Sequence, residues 1–261
     1  FVSSQVVEPP IGSPTVDMLK ALPLGEKLFY AHEENVVAPG GIAQVVLDEL
    51  TDRYGFLGGH QDRWVQYLRR ADYPPDMWHF CKAADIKARA GIAAVPKKDP
   101  SQLRKLVMAC PANALWRDPR DRINFGLGGA AALNGLSTWE SSIEISLCDE
   151  SNASTAVTRP KWMWRYFACP PVQAKQVWGR LDSEFRKTIS LDEEVSPCYT
   201  RLPMGSSHSV HILMAINMKA ASTSIQAAYR QDPKAETQVE PLPEIAEVKA
   251  VERVTSTAVP Q

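Results

Sequence analysis

What the chain lacks narrows it first. No run approaches the ~20 consecutive apolar residues that a bilayer-spanning helix needs. The opening FVSSQVVEPP has no basic flank before a continuous apolar stretch, which argues against a secretory signal peptide. It also lacks an initiator Met, as expected of a fragment, a processed chain or a piece of a polyprotein. Cysteines are few and odd in number: Cys81, Cys110, Cys148, Cys169 and Cys198 are scattered, with no Cys-x-x-Cys pair. That pattern argues against a disulfide framework and for a reducing compartment, cytoplasmic or nuclear. No internal repeat is present, and net charge is almost absent at −1.

The small net charge conceals a local excess. Residues 1–81 carry 6 basic and 11 acidic side chains, whereas residues 82–122 carry 10 basic against 4 acidic. Local fields rather than the total govern attraction of an anionic ligand. On charge alone, such a block reads first as a solvated face.

What is present is ordinary for a soluble globular protein: 261 residues, 44% apolar and 23% charged, enough for one large domain or two small ones. Residues 1–25, with EPPIGSPT, read as linker or disordered chain. Residues 26–88 read as a helical N-terminal region. In GIAQVVLDELTDRYGFLGG, Ile42, Val45, Val46 and Leu50 recur at helical spacing and Gly58-Gly59 ends the run. Two more short helices are expected on either side of Pro74-Pro75, with Trp64, Tyr67, Leu68, Trp78 and Phe80 in the core. From Gly91 the texture changes. GIAAV and KLVMAC flank the polar turn PKKDPSQ, as in a β-hairpin. Ile143, Ile145 and Leu147 alternate as a strand ending near Cys148-Asp149. WMWRYFACPP reads as another strand, with Trp162, Trp164, Tyr166 and Phe167 packed inside rather than stacked on bases. SVHILMAINMKAAS, after PMGSS, reads as a capped, buried helix, and residues 231–261 as a disordered tail. The expected class is α+β.

Three separated pieces carry the chemistry. The hairpin holds Lys97, Lys98 and Asp99, then Arg104 and Lys105, then Leu106 and Val107, with Asn113 six residues on. SLCDESNAS presents Asp149 at a strand end, and YTRLPMGSSHSV contains Leu202, Pro203, Met204 and Gly205 before a helix. In that order the motifs resemble the reverse transcriptases (RNA-directed DNA polymerases) of retroviruses and retrotransposons, over roughly residues 89–218.

The resemblance implies partial fingers and palm of such a polymerase over residues 89–230. Lys97 and Arg104 would face the triphosphate of an incoming nucleotide, where planar Arg and flexible Lys donors stabilise phosphoryl oxygens as they gain charge. Asp149 would be the first catalytic, metal-binding carboxylate and the Glu150 carbonyl a further ligand. They would serve Mg²⁺ ions, which such enzymes use in pairs about 3.5–4 Å apart. Met204 and Gly205 belong to the turn beside base and sugar, Gly205 allowing close backbone approach. The implied partners are an RNA template, a DNA primer and a deoxynucleoside triphosphate.

Two departures qualify the match. Five positions after Asp149, where the family keeps an aromatic that blocks a ribose 2′-hydroxyl, the residue is Ser154. The family's Tyr-x-Asp-Asp, projected to around Glu236, is missing, and no adjacent Asp pair follows Asp149. One carboxylate cannot hold two metals, so the chain alone is expected not to polymerise. Two other readings compete: a non-catalytic nucleic-acid-binding remnant, and a zinc hydrolase built from His208, His211 and Cys198.

Overall fold

In the computed structural model, which describes residues 3–121 and 153–231, helices and strands mix along the chain, as an α+β protein requires. A two-residue strand β1 (Val16–Asp17) leads into short helices α1 (Met18–Ala21), α2 (Leu24–Ala31) and α3 (Glu33–Val36). Residues 3–25 are not a free linker. Val6, Met18 and Leu22 are buried in the core, and Val6 bridges Leu103. Burial of three apolar side chains outweighs the loop-forming prolines between them.

Next come α4 (Gln44–Tyr54) and α5 (Gln61–Arg69). α4 forms where the spacing predicts it, but Val45 and Val46 on its predicted apolar face are exposed. α5 buries Trp64, Val65, Tyr67 and Leu68, the helical stripe expected. Trp64 stacks on Tyr67 with ring centroids 5.5 Å apart.

The helix expected beyond Pro74-Pro75 is instead a strand, β2 (Trp78–Lys82). Trp78 and Phe80 lie two apart and enter the core from one face, a spacing that helical and extended readings share over so short a run. The pairing decides. β2 runs antiparallel to a strand more than a hundred residues later, with Trp78 opposite Tyr199 and Phe80 opposite Pro197.

β3 (Gly91–Pro96) and β4 (Leu103–Met108) form the hairpin, with Ile92 opposite Val107 and Val95 opposite Arg104. A Cβ on Gly91 would sit 2.1 Å from the Tyr54 carbonyl oxygen, so only glycine lets the hairpin start this close to the end of α4. α6 (Cys110–Leu115) follows.

In the second described stretch, α7 (Ala153–Ala156) leads into β5 (Val157–Thr158), which pairs parallel with β1. The WMWRYFACPP segment is not a strand. It makes one helical turn, α8 (Lys161–Trp164), and then an irregular run in which Ala168 bridges both Arg89 and Cys198. Of its aromatics, Tyr166 and Phe167 are buried, Trp162 and Trp164 are half-buried against the core, and Phe167 lies edge-on to Trp116 at 5.3 Å. β6 (Val172–Gln173), α9 (Ala174–Val177) and α10 (Ser183–Arg186) lead to β7 (Glu194–Tyr199), the centre of a sheet ordered β2-β7-β6.

The chain then climbs α11 (Ser207–Gln231), which buries Ile212 and Ala215 in its first turns and is exposed over residues 217–221. Among the described residues no helix is long and apolar enough to cross a membrane. The strand expected around Ile143–Leu147 and the tail from residue 232 on lie outside the described residues.

Candidate functional site

The hairpin, α7 and the turn before α11 converge on a cavity of about 490 Å³. Lys97 and Arg104 line it from the hairpin, Ser154 from α7, and Leu202, Pro203 and Met204 from the turn. Tyr199 at the end of β7 and Val7-Glu8 of the N-terminal segment complete the wall with Lys105 and Val107 of β4.

Local chemistry sets each position. The hairpin turn is closed by Asp99, whose carboxylate accepts from the Ser101 amide at 2.9 Å and the Ser101 hydroxyl at 2.7 Å. Lys97 then donates its backbone amide to Gln102 O at 2.9 Å, which anchors the root of its side chain beside the cavity. Among the described residues neither Lys97 nor Arg104 has an ion-pair partner.

Lys105 has a different fate. Its ammonium is buried and lies 2.7 Å and 2.9 Å from the two carboxylate oxygens of Glu8, itself buried. Tyr67 donates its hydroxyl to the same carboxylate at 2.6 Å, and the Lys105 nitrogen stands 4.5 Å from the Tyr199 ring centroid. Burial works against the Lys105 charge, but Tyr199 and Glu8 outweigh it and hold its pKa above the ordinary lysine value. The Tyr67 phenol is raised well above its ordinary value by burial and then by Glu8. Of the four hairpin cations, Lys97 and Arg104 line the cavity, Lys105 is paired with Glu8, and Lys98 is exposed away from the cavity lining.

The Leu-Pro-Met-Gly turn is pinned on both sides. Pro203 O accepts from the Ser209 hydroxyl at 2.7 Å. The Asn113 side chain donates to Gly205 O at 2.9 Å and accepts from the Ser207 amide at 3.0 Å. Leu202 is buried, while Met204 is 59% exposed and reaches over the cavity. Gly205 does not line the cavity. Its close approach is to β4, where an added Cβ would meet Val107 O at 3.1 Å.

Of the site residues expected from the sequence, Lys97, Arg104 and Met204 are brought together, and Ser154 joins them. Asp149 and Glu150 lie outside the described residues. Among the described residues that line the cavity Glu8 is the only carboxylate, and Lys105 and Tyr67 already engage it. The described residues therefore give Mg²⁺ no set of oxygen ligands there. Glu8 and Tyr199 carry no sequence signal for the site: one sits in a Pro-rich run and the other in a six-residue strand.

The zinc trio does not assemble. His208 accepts the Tyr30 hydroxyl at Nδ1, 2.9 Å, and donates from Nε2 to Arg117 O at 2.7 Å. A carbonyl only accepts, so Nε2 carries the proton. His211 Nε2 stands 3.0 Å from Glu26 Oε2, and Cys198 lies on β7 with its thiol donating to Ser196 O at 3.7 Å. Among the described residues no group of three or more His, Cys, Asp or Glu side chains is placed to share a metal ion.

Compared with known proteins, the chain matches no family model and no curated sequence.

Proposed function

We propose that the chain carries partial fingers and palm of a reverse-transcriptase-like polymerase and that its cavity binds a nucleoside triphosphate. The observation that supports this reading is the meeting of Lys97, Arg104, Ser154 and Met204, drawn from three separated motifs, on one cavity of about 490 Å³. That volume lies within the roughly 300–1,000 Å³ of small-ligand sites. Lys97 and Arg104 hold phosphate oxygens, Ser154 stands at the sugar, and Leu202, Pro203 and Met204 offer an apolar ledge to the base. The ancestral reaction is RNA-templated nucleotidyl transfer to a primer 3′-end. Since no adjacent Asp pair follows Asp149, this chain binds nucleotide without polymerising. Mg²⁺ enters the reading only through Asp149 and Glu150; the described residues bind and orient a nucleotide.

Titration with a fluorescent deoxynucleoside triphosphate tests it. A charge-assisted hydrogen bond contributes about 1.5–3 kcal/mol, so Lys97→Ala and Arg104→Ala should each weaken binding by about 10- to 100-fold with folding unaffected. Primer extension on an RNA template with Mg²⁺ should show no incorporation. Incorporation that vanishes in Asp149→Ala would overturn the inactivity, and a chain indifferent to triphosphates would overturn the site. Salt-dependent binding of RNA or DNA without triphosphate binding would identify the non-catalytic alternative.

A further inference from the structure

The sheet β2-β7-β6 has a second face, turned away from the cavity. Directly opposed residues of an antiparallel pair share a face, so the register His79 opposite Cys198 and Cys81 opposite Ser196 gathers these four side chains together. Trp78, Phe80 and Tyr199 fill the main core from the other side. Cys81, Cys198 and Ala168 form a separate small cluster, with Ile86 and Trp164 packed against it. The exposed His79 ring closes its edge, 5.0 Å from the Trp164 ring.

Both cysteines are free thiols within this one cluster, and the Cys198 thiol donates to Ser196 O at 3.7 Å. Cys198 is fully buried, whereas Cys81 keeps 8% of its surface, so a small reagent meets Cys81 first. The neighbouring Cys198 side chain holds the Cys81 thiol well below its ordinary pKa against the effect of burial. His79 adds to the lowering and Asp85 opposes it. Cys169 is the contrast: fully buried, with burial pushing its thiol far up. Neither Cys81 nor Cys198 lines the cavity, so this pair is independent of the nucleotide reading.

We propose that Cys81 and Cys198 form a peroxide-oxidisable thiol pair, with Cys81 the attacking sulfur and Cys198 the resolving one. The Cys81 thiolate attacks one oxygen of hydrogen peroxide. An S–O bond forms, the O–O bond breaks, and the departing hydroxide takes up a proton as water. The sulfur is oxidised to a sulfenic acid and the peroxide is reduced. Cys198 then gives up its thiol proton and its sulfur attacks the sulfenic sulfur. The S–S bond forms, the S–O bond breaks, and hydroxide leaves as a second water. The two residues are diagonal neighbours on one face of adjacent strands and share one cluster, so the sulfurs must close to the ~2.05 Å of a disulfide. The product ties β2 to β7.

The full chain treated with dilute hydrogen peroxide, alkylated and peptide-mapped by mass spectrometry tests this. The expected result is a Cys81–Cys198 cross-linked peptide that dithiothreitol reverses, with Cys169 still reduced. Cys198→Ala should stop at a Cys81 sulfenic acid that dimedone traps, and Cys81→Ala should yield neither cross-link nor adduct at Cys198. Oxidation of Cys110 or Cys148 ahead of Cys81, or a wild-type Cys81 sulfenic acid that never cross-links, would overturn the proposal. Should a variant fail to fold, the wild-type chain still decides. Iodoacetamide at neutral pH should label Cys81 at least about tenfold faster than Cys110, and equal rates would sink the idea.

Discussion

Asn113, just beyond the hairpin, donates its side-chain amide to the Gly205 carbonyl at 2.9 Å and with its other atom accepts from the Ser207 amide at 3.0 Å. One side chain thus fixes the turn that carries Met204 and satisfies a free N–H in the first turn of α11. Asn113→Ala should cost about 1–2 kcal/mol, the net worth of two ordinary hydrogen bonds, and should weaken nucleotide binding by letting Met204 drift. Urea unfolding reads the first effect and nucleotide titration the second. Asn113→Asp, which keeps the acceptor and loses the donor, should fall between. A wild-type unfolding midpoint in the Ala variant would remove Asn113 from this role.

The buried Lys105–Glu8 pair makes a second prediction. Glu8→Gln leaves an uncompensated buried ammonium and should destabilise the fold by about 3–5 kcal/mol. The pair also sets an alkaline limit. Lys105 has its pKa raised in the folded state, so its contribution is fully present below the unfolded value of about 10.4 and is lost as pH rises through the folded one. The raised Tyr67 acts in the same direction. Thermal unfolding from pH 8 to 11 should show a declining alkaline limb in the wild type and a flatter one in Glu8→Gln.

His208 makes the acid-side prediction. Burial lowers its pKa to about 4 against the hydrogen bond to Arg117 O; His211 also lowers it, while Asp118 and Glu26 oppose. The unfolded chain binds this proton first on acidification. The contribution is therefore complete above about pH 6.5 and is lost as pH falls toward the folded value, a change on the order of 3 kcal/mol. His208→Gln can still accept from Tyr30 and donate to Arg117 O but does not titrate. Denaturant unfolding between pH 7 and 4 should show a steeper decline in the wild type than in that variant.

Ser154 makes a prediction about sugar choice that rests on the proposed function. A small side chain on α7 leaves room beside a ribose, so ribo- and deoxyribonucleoside triphosphates should bind within about threefold of each other. Ser154→Phe fills that space and should penalise the ribonucleotide more. Discrimination by the wild type matching that of the Phe variant would mean that Ser154 does not face the sugar.

Local sequence determined the hairpin, α5, the turn residues and the cations, because each is specified by side chains a few positions apart. Lys97, Arg104 and Met204 could be picked out as site candidates because the short motifs that hold them resemble those of reverse transcriptases. Residues 78–82 could not be assigned locally, because two aromatics spaced by two satisfy more than one local pattern and only pairing with β7 chooses between them. The same holds for Lys105: beside Arg104 it looks like another ligand cation, and only the fold brings Glu8 to neutralise it. Burial and pairing are properties of residues far apart in the chain, so tertiary structure alone decided which cations face the cavity, how Glu8 and Tyr199 wall it, and that Cys81 and Cys198 meet on the opposite side of the sheet.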